Sequence, residues 1–173
     1  MTVAGFENYL VGGCVRDVLL GRTPKDWDIT TIAAPEEIQA LFPDSFYEND
    51  FGTVGVKSHS PAGEDVIEVT PYRLESSYSD ARHPDKISWG TRVEEDLARR
   101  DFTINAMAYN LEKDELIDLY GGQKDLENKV IKTVEAPEER FSEDALRMLR
   151  ALRLASELGF ALEHETQSAT GEN

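Results

Sequence analysis

Asp26 and Asp28 stand two residues apart, a short way after a glycine pair and an arginine, Gly12-Gly13 and Arg16. Alternate side chains on a strand share a face, so the two carboxylates point one way while Trp27 points the other. The apolar run Tyr9-Leu10-Val11 ends at the glycine pair, and a helix-like pattern follows to Leu20. A glycine turn opening a helix aims free N–H groups at an anion such as phosphate. Paired carboxylates offer hard oxygen ligands that suit Mg²⁺. A phosphate grip beside them is what metal-assisted chemistry on a nucleoside triphosphate needs. Such a site wants a third carboxylate from a neighbouring strand. Glu68 fits, because Asp65–Thr70 alternates with Glu68 on its polar face.

Each piece also has an ordinary reading. An aspartate pair can be a solvated strand edge, a glycine pair a tight turn, and Arg16 the partner of a nearby carboxylate. Taken together, a triphosphate contact by Gly13 and Arg16 beside Asp26 and Asp28 is the better account.

Two further clusters carry charge at chemically useful spacing. Arg99-Arg100-Asp101 precedes Phe102-Thr103-Ile104-Asn105 and is either a salt-bridged cap or a holder of ribose and phosphates through Arg100 and Asp101. The segment Glu143–Arg153 reads as helix. At about 100° per residue, Ala145, Met148, Leu149, Leu152 and Ala155 gather on one side and Arg147, Arg150 and Arg153 on the other. Pairs Glu143–Arg147 and Arg153–Glu157 can form across one turn, which would make an ordinary charged face. Arg150 has no acidic residue four away. Asp144 and Arg147, three apart, can instead present donors and acceptors to a base edge.

Strand patterns at Tyr9–Val11, Trp27–Thr31, Gly52–Val56, Val66–Tyr72 and Glu115–Asp118 must position these groups. Ile104–Asn110 reads as strand or as helix from Thr103. Helical patterns cover Val15–Leu20, Pro35–Phe42, where proline suits a first turn, Val93–Arg99 and Phe141–Leu158. Ser142 reads as N-cap of a helix starting near Glu143. Hairpin-like and crossover connections are mixed, so the fold class is α+β, a mixed sheet with flanking helices that leads into a helical end. Glu75–Gly90 reads as a long loop, and Ala161–Asn173 as a polar tail without a closing element.

The chain has 173 residues, enough for one domain plus a small appendage, and 40% are hydrophobic. A net charge of −16 argues against coating nucleic acid by bulk electrostatics, though not against a local basic cleft. No apolar run approaches the roughly 18 residues that would span a bilayer, and the N-terminus lacks a signal-peptide pattern. Cys14 is the single cysteine and cannot form an internal disulfide, so a cytoplasmic protein is the simplest expectation.

In order along the chain, Gly12–Asp17, Leu19-Leu20-Gly21-Arg22, Asp26–Ile29, Glu68–Arg73, Arg99–Ala106, Asp118–Gly122 and Glu143–Arg153 resemble the tRNA nucleotidyltransferase and poly(A) polymerase family, in its bacterial and eukaryotic branch of CCA-adding enzymes. The set is specific although no single piece is. The resemblance implies a polymerase-β-like nucleotidyltransferase head over residues 1–124 and the start of a helical neck over 125–173. By that likeness Asp26 and Asp28 hold Mg²⁺, Gly13 and Arg16 contact the nucleotide, and Arg100 and Asp101 recognise ribose. Asp144 and Arg147 read the base of CTP or ATP, with Arg150 and Arg153 beside them. Asp118–Gly122 matches a hinge-like element, and the Glu75–Gly90 loop matches one linked to the switch towards adding A. The implied reaction adds CMP and AMP to the 3′ end of tRNA and releases pyrophosphate. Alternatives are an A-adding, CC-adding or poly(A)-making relative, or a shortened nucleotide- or RNA-binding fragment without catalysis. Family members continue through neck, body and tail domains that grip tRNA, so this chain is expected to be the front part of a longer protein.

Overall fold

β-Branched and aromatic residues alternate with polar ones through Trp27–Thr31 and Val66–Thr70, a pattern that suits a strand with one covered face. In a computed structural model, which describes residues 1–47, 52–60, 63–75 and 87–172, both segments lie in the middle of one sheet. The elements run β1 (Asn8–Val11), α1 (Gly13–Leu19), β2 (Trp27–Thr31), α2 (Pro35–Leu41), β3 (Ser45–Tyr47), β4 (Val54–Ser60) and β5 (Gly63–Pro71). They continue with β6 (Arg73–Glu75), β7 (Ile87–Trp89), α3 (Val93–Ala98), a 3-10 turn (Thr103–Asn105), β8 (Met107–Asn110), β9 (Glu115–Asp118) and α4 (Gly122–Asn128). The last are β10 (Val130–Ile131), α5 (Pro137–Glu143), α6 (Leu146–Leu158), β11 (Ala161–Leu162) and α7 (His164–Glu172).

The main sheet has the order β3-β4-β5-β2-β1-β8-β9. Strands β2 and β5 are parallel and the other neighbours antiparallel, so the sheet is mixed as expected. Its two faces are covered differently. Ile38 of α2 packs with Val54, Val56 and Val69 on one face. Val93 and Leu97 of α3 pack with Tyr9, Val11 and Ala108 on the other. Tyr9 is in register with Thr30, so α3 shares its face with the polar side of β2. The largest buried cluster joins Cys14 and Phe102 to Leu126, Phe141, Leu154 and Phe160. The helical end is thereby fastened to the sheet domain by a common core.

Three expectations are corrected here. The helix read over Phe141–Leu158 is broken at Asp144–Ala145 into α5 and α6. Ser142 therefore lies inside α5 and donates to the Glu139 carbonyl at 2.8 Å rather than capping a helix start. It is the Asp144 carboxylate that accepts the Leu146 N–H, at 2.9 Å. On α6, Arg147, Ala151 and Leu154 are buried, whereas Leu149 is 64% exposed. The polar tail is also structured, with β11 paired in parallel to β10 and Thr166 and Ala169 of α7 buried. A two-residue strand is too short to show a period. Of the loop expected over Glu75–Gly90, residues 76–86 lie outside the described residues, while β6 and β7 at its two ends pair with each other.

Candidate active site

The parallel register of β2 and β5 sets Asp28 directly opposite Glu68, and Thr30 opposite Thr70. Residues opposite one another share a face, so both carboxylates rise from the same side of the sheet. They line a cleft of about 460 Å³ whose other walls include Gly12, Gly13, Arg100, Asp101, Asp144 and Arg147. Burial pushes the Asp28 carboxyl up; Arg100 pulls it down, and the like charge of Asp26 pushes it up again. Asp26 lies just ahead of β2, exposed, and is not among the residues lining the cleft.

Gly12 occupies a backbone region reserved for glycine, at φ 73° and ψ −137°. A Cβ there would stand 2.9 Å from Arg100 Nη1 and 3.5 Å from Asp28 Oδ2. The first glycine of the pair is therefore required twice, by conformation and by the guanidinium packed on it. Gly13 lines the cleft. Arg16 stands behind it: Nε donates to Asp17 Oδ1 at 2.9 Å and Nη1 to Asn105 Oδ1 at 2.8 Å.

The opposite wall is organised by a residue that the motif reading passed over, Asp96, which is 0% exposed. Arg99 donates to its Oδ1 at 3.0 and 2.8 Å, and Arg100 to its Oδ2 at 3.3 and 2.9 Å. Burial alone would raise the Asp96 carboxyl, but the Arg100 and Arg99 guanidinium groups outweigh it and hold the group well below the usual carboxylate range. The signal in the sequence was the three- and four-residue spacing from Asp96 on α3 to Arg99 at its C-terminal cap and Arg100 just beyond it.

Asp101 is held in the same manner. Burial opposes its charge, and the Arg150 guanidinium, at 2.8 and 2.7 Å, overrides that and keeps the carboxyl low. Asn105 donates to Asp101 at 3.2 Å while accepting from Arg16, so a chain of contacts runs from α6 to α1. The arginine without a helical partner has found one far away in sequence. Arg147 is 8% exposed, and its donors go to Glu143 at 2.6 Å and to the Arg140 and Arg99 carbonyls at 3.2 Å each. Arg153 does not line the cleft; it is 63% exposed and 3.9 Å from Glu157. Thr30, Thr53, Thr70 and Arg73 also line the cleft; Thr70 and Arg73 fall within the Glu68–Arg73 motif without a role assigned to them, and Thr30 and Thr53 belong to no motif.

Asp28 and Glu68 supply hard oxygens on one face, with the repelling charge of Asp26 nearby, and that donor chemistry fits a divalent cation. Among the described residues no three His, Cys, Asp or Glu side chains are already gathered into a metal cage. The two carboxylates alone would leave positions on such a cation for phosphate oxygens and water to fill.

The model of the Poly A polymerase head domain matches residues 8–132. The CCA-adding enzyme of Lactobacillus delbrueckii subsp. bulgaricus is 50% identical over 167 residues, covering 96% of this chain and 41% of that enzyme. The chain therefore spans about two fifths of the length of the curated relatives it matches. The crystal structure of the Bacillus stearothermophilus CCA-adding enzyme in complex with CTP is similar, with a TM-score of 0.86 at 41% identity, over 97% of this chain and 39% of that one. A tRNA nucleotidyltransferase complexed with a primer tRNA and an incoming ATP analogue matches with a TM-score of 0.73 at 34% identity, over 98% of this chain and 47% of that one. Nucleotidyltransferases of this kind generally use a divalent metal. No described helix is long and apolar enough to cross a membrane.

Proposed function

The chain belongs to the poly(A) polymerase head-domain family, and on that footing we propose that it is the transferring end of a template-independent RNA nucleotidyltransferase. It adds CMP and AMP from CTP and ATP to the 3′ end of tRNA, releasing pyrophosphate, as the names of its relatives suggest. The observation that carries this reading is Asp28 opposite Glu68 at the foot of an arginine-walled cleft.

The 3′-hydroxyl oxygen of the RNA attacks the α-phosphorus of the nucleotide, and the bond to pyrophosphate breaks. Asp26 and Asp28 would hold Mg²⁺, and the bound ion would supply neutralisation of the charge that develops on the phosphates. Glu68 faces the hydroxyl from the next strand and eases loss of its proton. Gly13 and Arg16 serve the triphosphate, and Arg100 and Asp101 the ribose. Asp144 and Arg147 serve the base edge, with Arg150 and Arg153 flanking them. Base reading by Arg147 requires it to exchange the carboxylate and carbonyls it now holds for the base. Residues 1–124 form the head and 125–173 the start of a neck; further neck, body and tail domains would tighten the hold on tRNA. A cytoplasmic setting follows from the substrate.

The test is incorporation of labelled CTP and ATP, separately and together, into tRNA lacking its 3′-terminal nucleotides, with and without Mg²⁺. Ordered, Mg²⁺-dependent addition of C, C and A supports the proposal. CTP binding without any incorporation would reduce the chain to a nucleotide-binding module. Products of A alone, of C alone, or of a long A tail would replace CCA addition with the corresponding relative's activity.

A further inference from the structure

Strand register extends the catalytic row beyond Glu68. Asp28 opposes Glu68, Glu68 opposes Gly55, and Gly55 opposes Phe46. All four positions therefore present to one face of the sheet. Phe46 lies three strands from Asp28, at about 4.8 Å per strand. The other face of these strands is closed by Ile38 of α2 on Val54, Val56 and Val69. On the catalytic face Phe46 is 39% exposed, beside exposed Lys57 and Val66 on the same side of β4 and β5.

Gly55 explains how the ring is held. Its backbone is not among the positive-φ glycines, so its conformation does not call for glycine. A Cβ there would instead meet the Phe46 ring at 2.6 Å from Cζ. The bare strand lets the ring lie against the backbone of β4 while Phe46 keeps more than a third of its surface exposed. The same construction recurs at Gly52, whose Cβ position is filled by the ring of half-exposed Trp89.

We propose that Phe46 on Gly55 is a stacking shelf for an unpaired base just upstream of the RNA 3′ end. This deepens the transfer reading above and rests on it. The arginine wall, with Arg100, Arg147 and Arg150, is given to the ribose and base of the incoming nucleotide in the reading above, which leaves the β5 side of the cleft open. A polymer whose end must reach Asp28 then arrives across β5, β4 and β3. Stacking suits this position because every base has a π-face, and the base next to the growing end changes as nucleotides are added. Unpaired RNA is characteristically bound by splayed bases on aromatic rings. Lys57, 3.5 Å from Asp44 and half exposed, offers a cation for the phosphate alongside.

The test titrates the chain with a short single-stranded RNA carrying 2-aminopurine next to its 3′ end, and separately with CTP and Mg²⁺. Phe46→Leu, which keeps an apolar cover on Gly55, is expected to weaken RNA binding about tenfold while leaving CTP binding unchanged. Phe46→Trp is expected to restore the RNA affinity and the quenching of the purine. RNA affinity unchanged in Phe46→Leu, with CTP still bound, would overturn the shelf and leave the transfer reading standing. Failure of the unaltered chain to bind CTP would overturn that reading and the shelf with it.

Discussion

One wall of the cleft is made of strands and the other of arginines, and the two obey different rules. On the strand wall, Asp28 and Glu68 are placed by the backbone ladder between β2 and β5. Changing either side chain leaves that ladder untouched. On the arginine wall, Arg99, Arg100 and Arg150 are placed by buried carboxylates, Asp96 and Asp101. There the charge is itself the scaffold. Removing a partner leaves an ion in a poorly solvated place, which costs far more than the pair contributed. Chemistry and stability should thus separate between the two walls.

The largest effect expected is Asp28→Ala. Metal-dependent transfer falls about 10⁴-fold, the scale seen when one member of a catalytic set is removed, while the urea unfolding midpoint stays close to that of the parent. A domain unfolded by this change would erase the distinction between the walls. Asp96→Asn is expected to do the reverse of a clean active-site change. It lowers unfolding free energy by about 3 kcal/mol, because two largely buried guanidinium groups lose their shared counter-charge. The sign of its pH dependence follows from the direction of the shift. Asp96 is held below the ordinary carboxylate range when folded, so its contribution is present above about pH 4 and is lost as pH falls below that. Urea midpoints of parent and Asp96→Asn should therefore converge on acidification; parallel curves would mean the arginines are held by something else.

The same division decides what the sequence discloses. Strand β2 was read with the boundaries it has, and β5 within three residues at its start, since a covered face imposes a period of two on the residues themselves. Register was visible only in outline: Glu68 suggested itself by alternation, yet its place beside Asp28 depends on a strand pairing forty residues apart. The arginine wall was legible as composition and not as geometry. Arg150 showed itself by lacking a helical partner, but no local rule names Asp101, across 49 residues, as the one it finds. The helical wheel over Glu143–Arg153 sets Arg147 and Leu149 on opposite sides, as α6 does, but a wheel does not say which side packs: Arg147, Ala151 and Leu154 turn inward and Leu149 outward. Asp144 has the spacing of a helical residue in the sequence, yet its carboxylate accepts the Leu146 N–H at the start of α6.

The smallest effects sharpen the contrast within one helix. Arg150 and Arg153 stand three residues apart on α6 and are both largely in solvent, but Arg150 meets buried Asp101 and Arg153 meets exposed Glu157. Arg150→Ala should destabilise the chain by about 1 kcal/mol, a value kept modest by solvent screening of a half-exposed guanidinium and by the Asn105 and Phe102 donors that still reach Asp101 Oδ1, although Oδ2 loses Arg150. Arg153→Ala should cost no more than about 0.3 kcal/mol. Adding salt should shrink the Arg153 effect further and leave most of the Arg150 effect, because screening reaches exposed pairs far better than buried carboxylates. Equal costs for the two, or equal sensitivity to salt, would mean that the contact from α6 to Asp101 does not hold this wall in place, and that Asn105 alone links Asp101 to Arg16 and α1.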